Sequence, residues 1–447
     1  MDSIWTMTAD IPKREALKED MTVDVAVIGG GIAGLLIAFY LKNKGVQSVV
    51  LEAARIGSGQ TKNTTAKITL QHGLVYHRLI EEIGEENAKL YAQANRQAIA
   101  EYRSLVEENR IECEFRECQS YLYSLEDTDL LQKEEEAAKR LGICAELTTK
   151  AELPFEVIKA LKFYDQAVFH PLLFLGRIAE DLTIYEDTKV LTVEKEEEEN
   201  RIITNKGIIR AKKVVFASHY PFINVPGYYF LRMHQERSYV VVLKNTKQMD
   251  HIYYGIDKEG LSFRKSGDYL LLGGGGHRTG ENTGGGSYQK LSLAAEKWFP
   301  ESREVTRFSA QDCMPIDGIP YIGQFASTAE NWFVATGFQK WGMTSAMVSA
   351  MMISDLIVKG QSPYEEVFGP QRFRLQASAV NLAEEGIQSA KGLSKGIFST
   401  TPKCTHMGCA LEWNPDEMSW DCPCHGSRFA FDGKIIDNPA QEDLKNE

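Results

Sequence analysis

Val23-Asp24-Val25-Ala26-Val27-Ile28 runs straight into Gly29-Gly30-Gly31-Ile32-Ala33-Gly34, then Leu35 to Lys44, then Ser48-Val49-Val50-Leu51-Glu52. The first six residues are a β-branched run of the kind that forms a buried strand. Gly29 allows a tight turn, Gly31 lets a pyrophosphate approach the backbone, and Gly34 lets the following helix pack on the strand. Leu35–Lys44 reads as that helix and Ser48–Leu51 as a second strand. Glu52, about twenty residues on, is placed to accept hydrogen bonds from both hydroxyls of a ribose. A glycine-rich turn alone is a weak signal. Strand, helix, second strand and terminal acid together predict a Rossmann-like nucleotide-binding start.

The chain has 447 residues, 43 % of them hydrophobic and 25 % charged, which fits about three globular domains. A net charge of −12 and a pI near 5.4 argue against nucleic acid or an anionic membrane surface as the main partner. Residues 1–20 mix Asp10, Lys13, Arg14, Glu15, Lys18, Glu19 and Asp20 among few hydrophobes, so no leader is expected there. The longest apolar stretch, Trp341 to Val358, is broken by Thr344, Ser345, Ser349, Ser354 and Asp355, and reads as a buried helix rather than a membrane span. Cys113, Cys118, Cys144 and Cys313 show no framework spacing, and a cytoplasmic location is expected.

The remaining four cysteines lie in Cys404-Thr405-His406-Met407-Gly408-Cys409 and Cys422-Pro423-Cys424-His425-Gly426-Ser427. Four Cys and two His could hold zinc, but zinc fingers space ligands as C-x(2–4)-C and H-x(3–5)-H, whereas here Cys and His alternate within each half. The doubled pattern resembles a Rieske 2Fe-2S centre, in which one iron takes two thiolates and the other two imidazoles. Cys404 with His406, and Cys422 with His425, fit that ligand set. Neutral imidazoles would set the potential in a window of roughly −150 to +300 mV, against about −400 mV for four thiolates. The resemblance, to Rieske proteins of cytochrome bc complexes, also implies a Cys409–Cys424 disulfide. That sits awkwardly with a cytosolic address.

The residues after Glu52 favour FAD over NAD. Glu52-Ala-Ala-Arg55-Ile-Gly57-Ser-Gly59-Gln-Thr61 resembles the segment that crosses the pyrophosphate in the D-amino-acid oxidase, glycine oxidase and sarcosine oxidase (DAO) family. Val190, the Val214–Ser218 run with Ala217, Asp317 to Gly323, Phe333 to Gly337, and Gly342-Met343-Thr344 match that family in order from residue 22 to about 370. The resemblance implies FAD bound by Gly29, Gly31, Gly34, Glu52, Arg55, Gly59, Thr61, Val190, Ala217, Gly337, Gly342, Met343 and Thr344. A helix N-terminus at Gly342 would then point its amides at the flavin, where they stabilise negative charge. Cys313 is similar to the cysteine that tethers flavin in sarcosine oxidases, but it lies closer to the Asp317-Gly318 strand, so free FAD is expected.

The expected fold is α/β: a Rossmann-like FAD domain, an inserted α+β substrate domain built on an antiparallel sheet, and a small all-β Rieske module. The FAD domain is expected over 21–76, 155–225 and 305–371, the substrate domain over 77–154 and 226–304, a linker over 372–395 and the module over 396–447. His77–Arg110 carries apolar positions at helical spacing. Arg237–Leu243, Leu261–Arg264 and Tyr269–Leu272 read as strands, and Glu194–Glu199 as a solvated hairpin edge. The module is about half the usual size and would have to lean on the flavoprotein for cover.

Lys67, Arg237, Tyr239, Tyr254, His277, Lys340 and Trp341 are candidates to line the substrate pocket. Lys67 and Lys340 rank first, since a cation beside the flavin would stabilise its reduced anion. Where amino-acid oxidases of the family carry a carboxylate-binding Arg, this chain has Asp312, which would attract an amine instead. Lys67, Lys340, Asp312 and Tyr254 are therefore the expected catalytic residues. The expected function is an FAD-dependent dehydrogenase of a small amine-like substrate, delivering electrons to the Rieske centre and then to an unidentified acceptor. The alternative is an electron-transfer flavo-iron-sulfur protein that serves a partner enzyme and has no substrate of its own. A Rieske oxygenase would need a 2-His-1-carboxylate site, and His72, His77, His170, His219, His234, His251 and His277 show no such spacing.

Overall fold

The computed structural model describes residues 2–126, 128–372, 394 and 401–445. The linker expected over 372–395 lies outside the described residues except for Arg372 and Ser394.

The opening stretch folds as its residue pattern requires. Met21–Ile28 and Ser48–Leu51 are parallel strands flanking the helix Ile32–Asn43. They continue into a sheet ordered Tyr321–Gln324, Trp332–Thr336, Ile208–Phe216, Met21–Ile28, Ser48–Leu51, Ile184–Tyr185. The hairpin Val190–Lys195/Asn200–Thr204 adds to Ile208–Phe216, with the acidic run at its turn. Gly342–Lys359 is the buried helix expected of the apolar stretch, packed on Ile32–Asn43. Among the described residues no helix is long and apolar enough to cross a membrane.

A nine-stranded sheet forms the second layer, ordered Arg303–Pro315, Met233–Lys244, Tyr269–Arg278, Ser262–Ser266, Ile252–Gly255, Arg116–Ser124, Lys159–Val168, Lys67–Ile68, with Ala145–Thr148 paired to Lys159–Val168 off this path. It is antiparallel except where Ile252–Gly255 runs parallel to Arg116–Ser124. Lys159–Val168 and Arg303–Pro315 belong to this sheet, although both fall within segments expected to be FAD domain. Both are strands that carry the chain between the two layers, and their residue pattern suits either sheet. Tyr76–Glu108 is one long helix broken at Gly84 (φ 79°).

The third unit is a four-stranded sheet of Glu412–Asn414, Ser419–Asp421, Arg428–Ala430 and Ile435–Asp437. Its own core is small: Cys404, Cys409, Leu411, Cys422, Cys424, Phe429 and Ala440. The remaining cover comes from the flavoprotein side. A Cβ on Gly280 would meet Pro423 at 2.7 Å, one on Gly285 would meet Pro415 at 2.8 Å, and one on Gly426 would meet Gln235 at 2.6 Å. Glycine at these positions lets the backbones approach that closely.

Candidate active site and cluster site

One cavity of about 1130 Å³ runs between the first two layers and reaches the third. Gly29, Gly31, Glu52, Gly59, Thr61, Val190, Ala217, Gly342 and Met343 line it, as do Lys67, Tyr254, Asp312 and Lys340. Ile435, Asp437, Asn438 and Gln441 of the small module close part of its wall.

At the nucleotide end the backbone sets the shape. Gly29 is left-handed at φ 113°, and a Cβ there would lie 2.4 Å from the Ala217 carbonyl oxygen. A Cβ on Gly34 would lie 1.9 Å from the Gly29 carbonyl oxygen, so Gly34 acts through helix–strand contact and does not line the cavity. Gly59 and Gly342 face open space. Thr61 Oγ1 accepts from the Ile32 amide at 3.0 Å, fixing the helix start. Glu52 accepts from the amides of Gly30 (2.7 Å) and Ala54 (2.8 Å). Burial pushes its carboxyl up, against the pull of those two donors. The open cradle and the half-buried acid fit a dinucleotide.

Three expected contacts face elsewhere. Arg55 pairs with the buried Glu186 at 3.0 Å and donates to the Ile11 carbonyl at 2.6 Å. Gly337 packs on Pro315. Thr344 Oγ1 is hydrogen-bonded to His72 Nε2 at 3.1 Å and the Thr69 carbonyl at 3.0 Å.

At the other end Lys340 is bracketed by Glu236 (3.1 Å) and Asp312 (3.2 Å). Burial would lower its pKa, but Asp312 and Glu236 outweigh that and hold it above the ordinary lysine value. Burial would raise Glu236, yet His234 and Lys340 bring it down to about 2. Asp312 is thus half of a shared ion pair rather than the lone acid the sequence suggested. Lys67 stands across the cavity with its Nζ 5.7 Å from the Tyr254 ring centre. Burial, and then the nearby Arg264, lower its pKa to about 7. Trp341, Tyr239 and His277 also line the cavity, whereas Arg237 does not. Arg237 faces the small module, where it donates to Glu417 (2.9 Å) and Gln311 (3.1 Å). It was read as a pocket residue because strand alternation alone does not say which face meets the pocket.

In the small module, Cys404 and Cys422 are free, buried and hydrogen-bonded through their side chains. Cys409 and Cys424 form the disulfide that the family resemblance implied. The Sγ atoms of Cys409, Cys422 and Cys424 lie within 4.8 Å of one another. Two of those sulfurs belong to the disulfide, so they do not make a three-thiolate site. The His406 and His425 rings stand 5.0 Å apart and perpendicular. His406 Nδ1 is buried with no hydrogen-bond partner, while its Nε2 meets Asn224 Oδ1 at 3.0 Å. Two adjacent thiols, two facing imidazoles and an orphaned ring nitrogen fit a cluster of two thiolate and two imidazole ligands.

Sequence reasoning missed Asn224, Gln235, Glu236, Gln311, Glu417 and Arg428. The signal available was the polar run His234-Gln235-Glu236-Arg237, which opens a strand that continues as Val240-Val241-Val242-Leu243. Polar residues on both faces of a buried strand require partners on both faces.

The family profile for FAD-dependent oxidoreductases (DAO) matches residues 24–356, and that for the Rieske [2Fe-2S] domain matches 371–446. A "Putative Rieske 2Fe-2S iron-sulfur protein YhfW" of Bacillus subtilis (strain 168) is 34 % identical over 99 % of this chain and 97 % of its own length. Among solved structures, L-proline dehydrogenase from P. horikoshii superposes with a TM-score of 0.67 at 20 % identity, over 80 % of this chain and 98 % of that one. Glycine oxidase from Geobacillus kaustophilus gives 0.68 at 19 % identity, over 79 % and 99 %. The nucleotide cradle, the facing Cys/His loops and these matches agree: the chain belongs to the FAD-dependent oxidoreductase (DAO) family, carries a C-terminal Rieske [2Fe-2S] domain, and has FAD and the 2Fe-2S cluster as its cofactors.

Proposed function

We propose that the chain is a dehydrogenase that oxidises a small amine-like or related substrate and passes the electrons singly to its own Rieske cluster. The observation that carries this reading is the shared cavity. Its walls are the nucleotide cradle, the Lys340–Asp312 pair and the Rieske segment around Asp437 and Asn438. FAD supplies two-electron chemistry toward a substrate, and a Rieske cluster takes one electron at a time.

Gly29, Gly31, Glu52, Gly59, Thr61, Val190 and Ala217 would hold the nucleotide end of FAD, with Gly342 and Met343 at the other. Cys404, His406, Cys422 and His425 would hold the cluster. Two carboxylates sharing one lysine leave a net negative wall, which favours an amine. Lys67 opposite, with a pKa near 7, can hold or release a proton at Nζ near neutral pH. Tyr254 lines the same cavity beside Lys67. The electron acceptor beyond the cluster would be a separate molecule, met in the cytoplasm.

One observation favours the electron-transfer alternative: among the described residues no arginine lines the cavity, so no bidentate carboxylate clamp faces it. Anaerobic mixing with a panel of amines and amino acids separates the two readings. The dehydrogenase reading expects flavin bleaching followed by bleaching of the Rieske band. Bleaching by none of the panel, with reduction only by a reduced protein partner, would support the alternative.

A further inference from the structure

The strand pair Met233–Lys244/Arg303–Pro315 is the partition between the cavity and the cluster. Its register sets Glu236 opposite Asp312, Gln235 opposite Cys313, and Arg237 opposite Gln311. Directly opposed residues share a face and neighbours in sequence alternate. Glu236 and Asp312 therefore meet Lys340 on one face, where Asp312 and Lys340 line the cavity, while the side-chain amides of Gln235 and Gln311 reach the cluster side, Gln311 also lining the cavity. Both glutamines are 1 % exposed. Gln235 Nε2 donates to the carbonyl of the ligand His425 (2.7 Å) and to that of Asn438 (3.1 Å). Gln311 Nε2 donates to the Gly426 carbonyl (2.7 Å) and to Gln235 Oε1 (2.6 Å). The Gln311 backbone amide in turn donates to Gln60 Oε1 at 2.9 Å, and Gln60 lines the cavity.

We infer that Gln235 and Gln311 are positioning residues that fix the Cys422–Gly426 ligand loop against the back of the flavin site, making this strand pair the route for electrons between the two cofactors. The inference rests on the proposed intrachain transfer and adds the path. Three features support the assignment. Burial leaves these amides no water to bond instead, so each amide keeps one hydrogen bond to the loop, with the others going to Asn438 and to the neighbouring glutamine. Two of the acceptor carbonyls belong to His425 and the residue after it, so these hydrogen bonds act directly on a ligand peptide. Gly426, left-handed at φ 84°, has no room for a Cβ against Gln235, so loop and strand are in direct contact. In electron count, each pass takes one electron from reduced FAD and adds one to the diferric cluster. An external one-electron acceptor must empty the cluster between passes, and the flavin protons leave to solvent.

The test uses the full-length protein loaded with both cofactors. Flavin is photoreduced anaerobically by a laser flash, and the Rieske absorbance is followed in wild type, Gln235→Leu, Gln311→Leu and the double variant. Leucine keeps the bulk and removes the donors. We expect the double variant to transfer at least about tenfold more slowly, with iron and flavin contents unchanged. The midpoint potential of the cluster should shift, because the loop that these amides hold sets the placement of His425 and the solvent exposure of the cluster. A wild-type rate in the double variant with its iron retained overturns the inference and leaves the proposed function standing. If the double variant loses its iron, Gln235→Asn and Gln311→Asn, each one methylene short of the loop, decide. Slower transfer with a shifted potential in these variants supports the inference, and wild-type behaviour overturns it. A wild-type protein whose reduced flavin never reduces the cluster overturns the proposed function itself.

Discussion

The nucleotide half and the Rieske module reach a stable fold by opposite means. The first buries two large apolar clusters, one centred on Val25, Val27, Leu36 and Met347, the other on Ala26, Ile28, Val214 and Phe216. The module has a core of four cysteines, Leu411, Phe429 and Ala440, too little to hold a domain by burial alone. It depends instead on a disulfide, a metal cluster and a buried charge network. In that network Arg428 meets Asp421, Asp437 and Glu417 at 3.0 Å each, and Arg237 reaches Glu417 from the flavoprotein. The half that can fold on its own apolar core presents the docking surface, and the half that cannot is completed by it.

The largest effect should come from overfilling the tightest contact in the self-sufficient half. Gly34→Val places atoms where the Gly29 carbonyl oxygen is 1.9 Å from an ideal Cβ, and overpacking of a rigid backbone contact costs about 3 kcal/mol or more. We expect nearly complete loss of bound flavin, read from the absorbance per chain. The iron of any folded remainder should be lost as well, since the module's cover is gone. A variant with full flavin content would break the comparison at its root.

Next in size is the charge network. Arg428→Met leaves Glu417, Asp421 and Asp437 without their shared cation, and breaking a buried ion pair from one side costs about 3–5 kcal/mol. Iron content should drop sharply while flavin content holds. Equal loss of both cofactors would mean that the two halves fold as one cooperative unit.

How much of this was legible in the sequence follows from the same contrast. Gly29, Gly31, Gly34 and Glu52 were readable because each answers to a backbone rule that holds within a few residues of chain. Cys404, His406, Cys422 and His425 could be proposed as ligands from the sequence because cluster chemistry fixes ligand types and spacing. Arg237 was misread because its role depends on a partner far away in sequence, Glu417, and the pairing of Asp312 with Lys340 was not legible for the same reason. A strand's alternation shows that two faces exist but not what packs on each. Arg55 failed for a related reason: the motif placed it near the nucleotide, while its partner Glu186 lies on another strand connection.

A smaller, pH-dependent effect separates the halves under mild conditions. Burial would raise the Glu417 carboxyl, but Arg237 and then Arg428 hold it near 2 instead of the ordinary 4.5. Because its folded-state value is the lower one, the contribution is complete above about pH 4.5 and is lost as pH falls from there toward 2. It amounts to on the order of 3 kcal/mol at neutral pH. Glu236, held near 2 on the cavity side, adds a slope of the same sign. The informative quantity is therefore the difference between wild type and Glu417→Gln. We expect denaturant stability of the module to fall from pH 6 to pH 3 more steeply in wild type than in Glu417→Gln. Identical slopes would show that Glu417 does not anchor the docking.

The smallest predicted effect is confined to the cluster's outer edge, at the point where the two halves exchange a hydrogen bond. Asn224 Oδ1 accepts from His406 Nε2 at 3.0 Å, while Nδ1 of the same ring is left for the cluster. An acceptor on the far nitrogen fixes the ring's tautomer and orientation and makes the imidazole a stronger donor to its metal. A stronger donor favours the oxidised cluster, so the present contact lowers the potential. Asn224→Leu should then raise the midpoint potential by less than the roughly 59 mV that a tenfold change in a one-electron equilibrium represents. Asn224→Asp, a stronger acceptor, should lower it. Iron content and the flavin spectrum should be unchanged in both variants, because the change lies outside the ligand set and outside the cavity. Opposite shifts in the two variants would establish that the flavoprotein half tunes the cluster as well as covering it. Shifts of the same sign would mean that the variants act by loosening the 224–230 segment against the module, and the hydrogen bond would then have no electronic role.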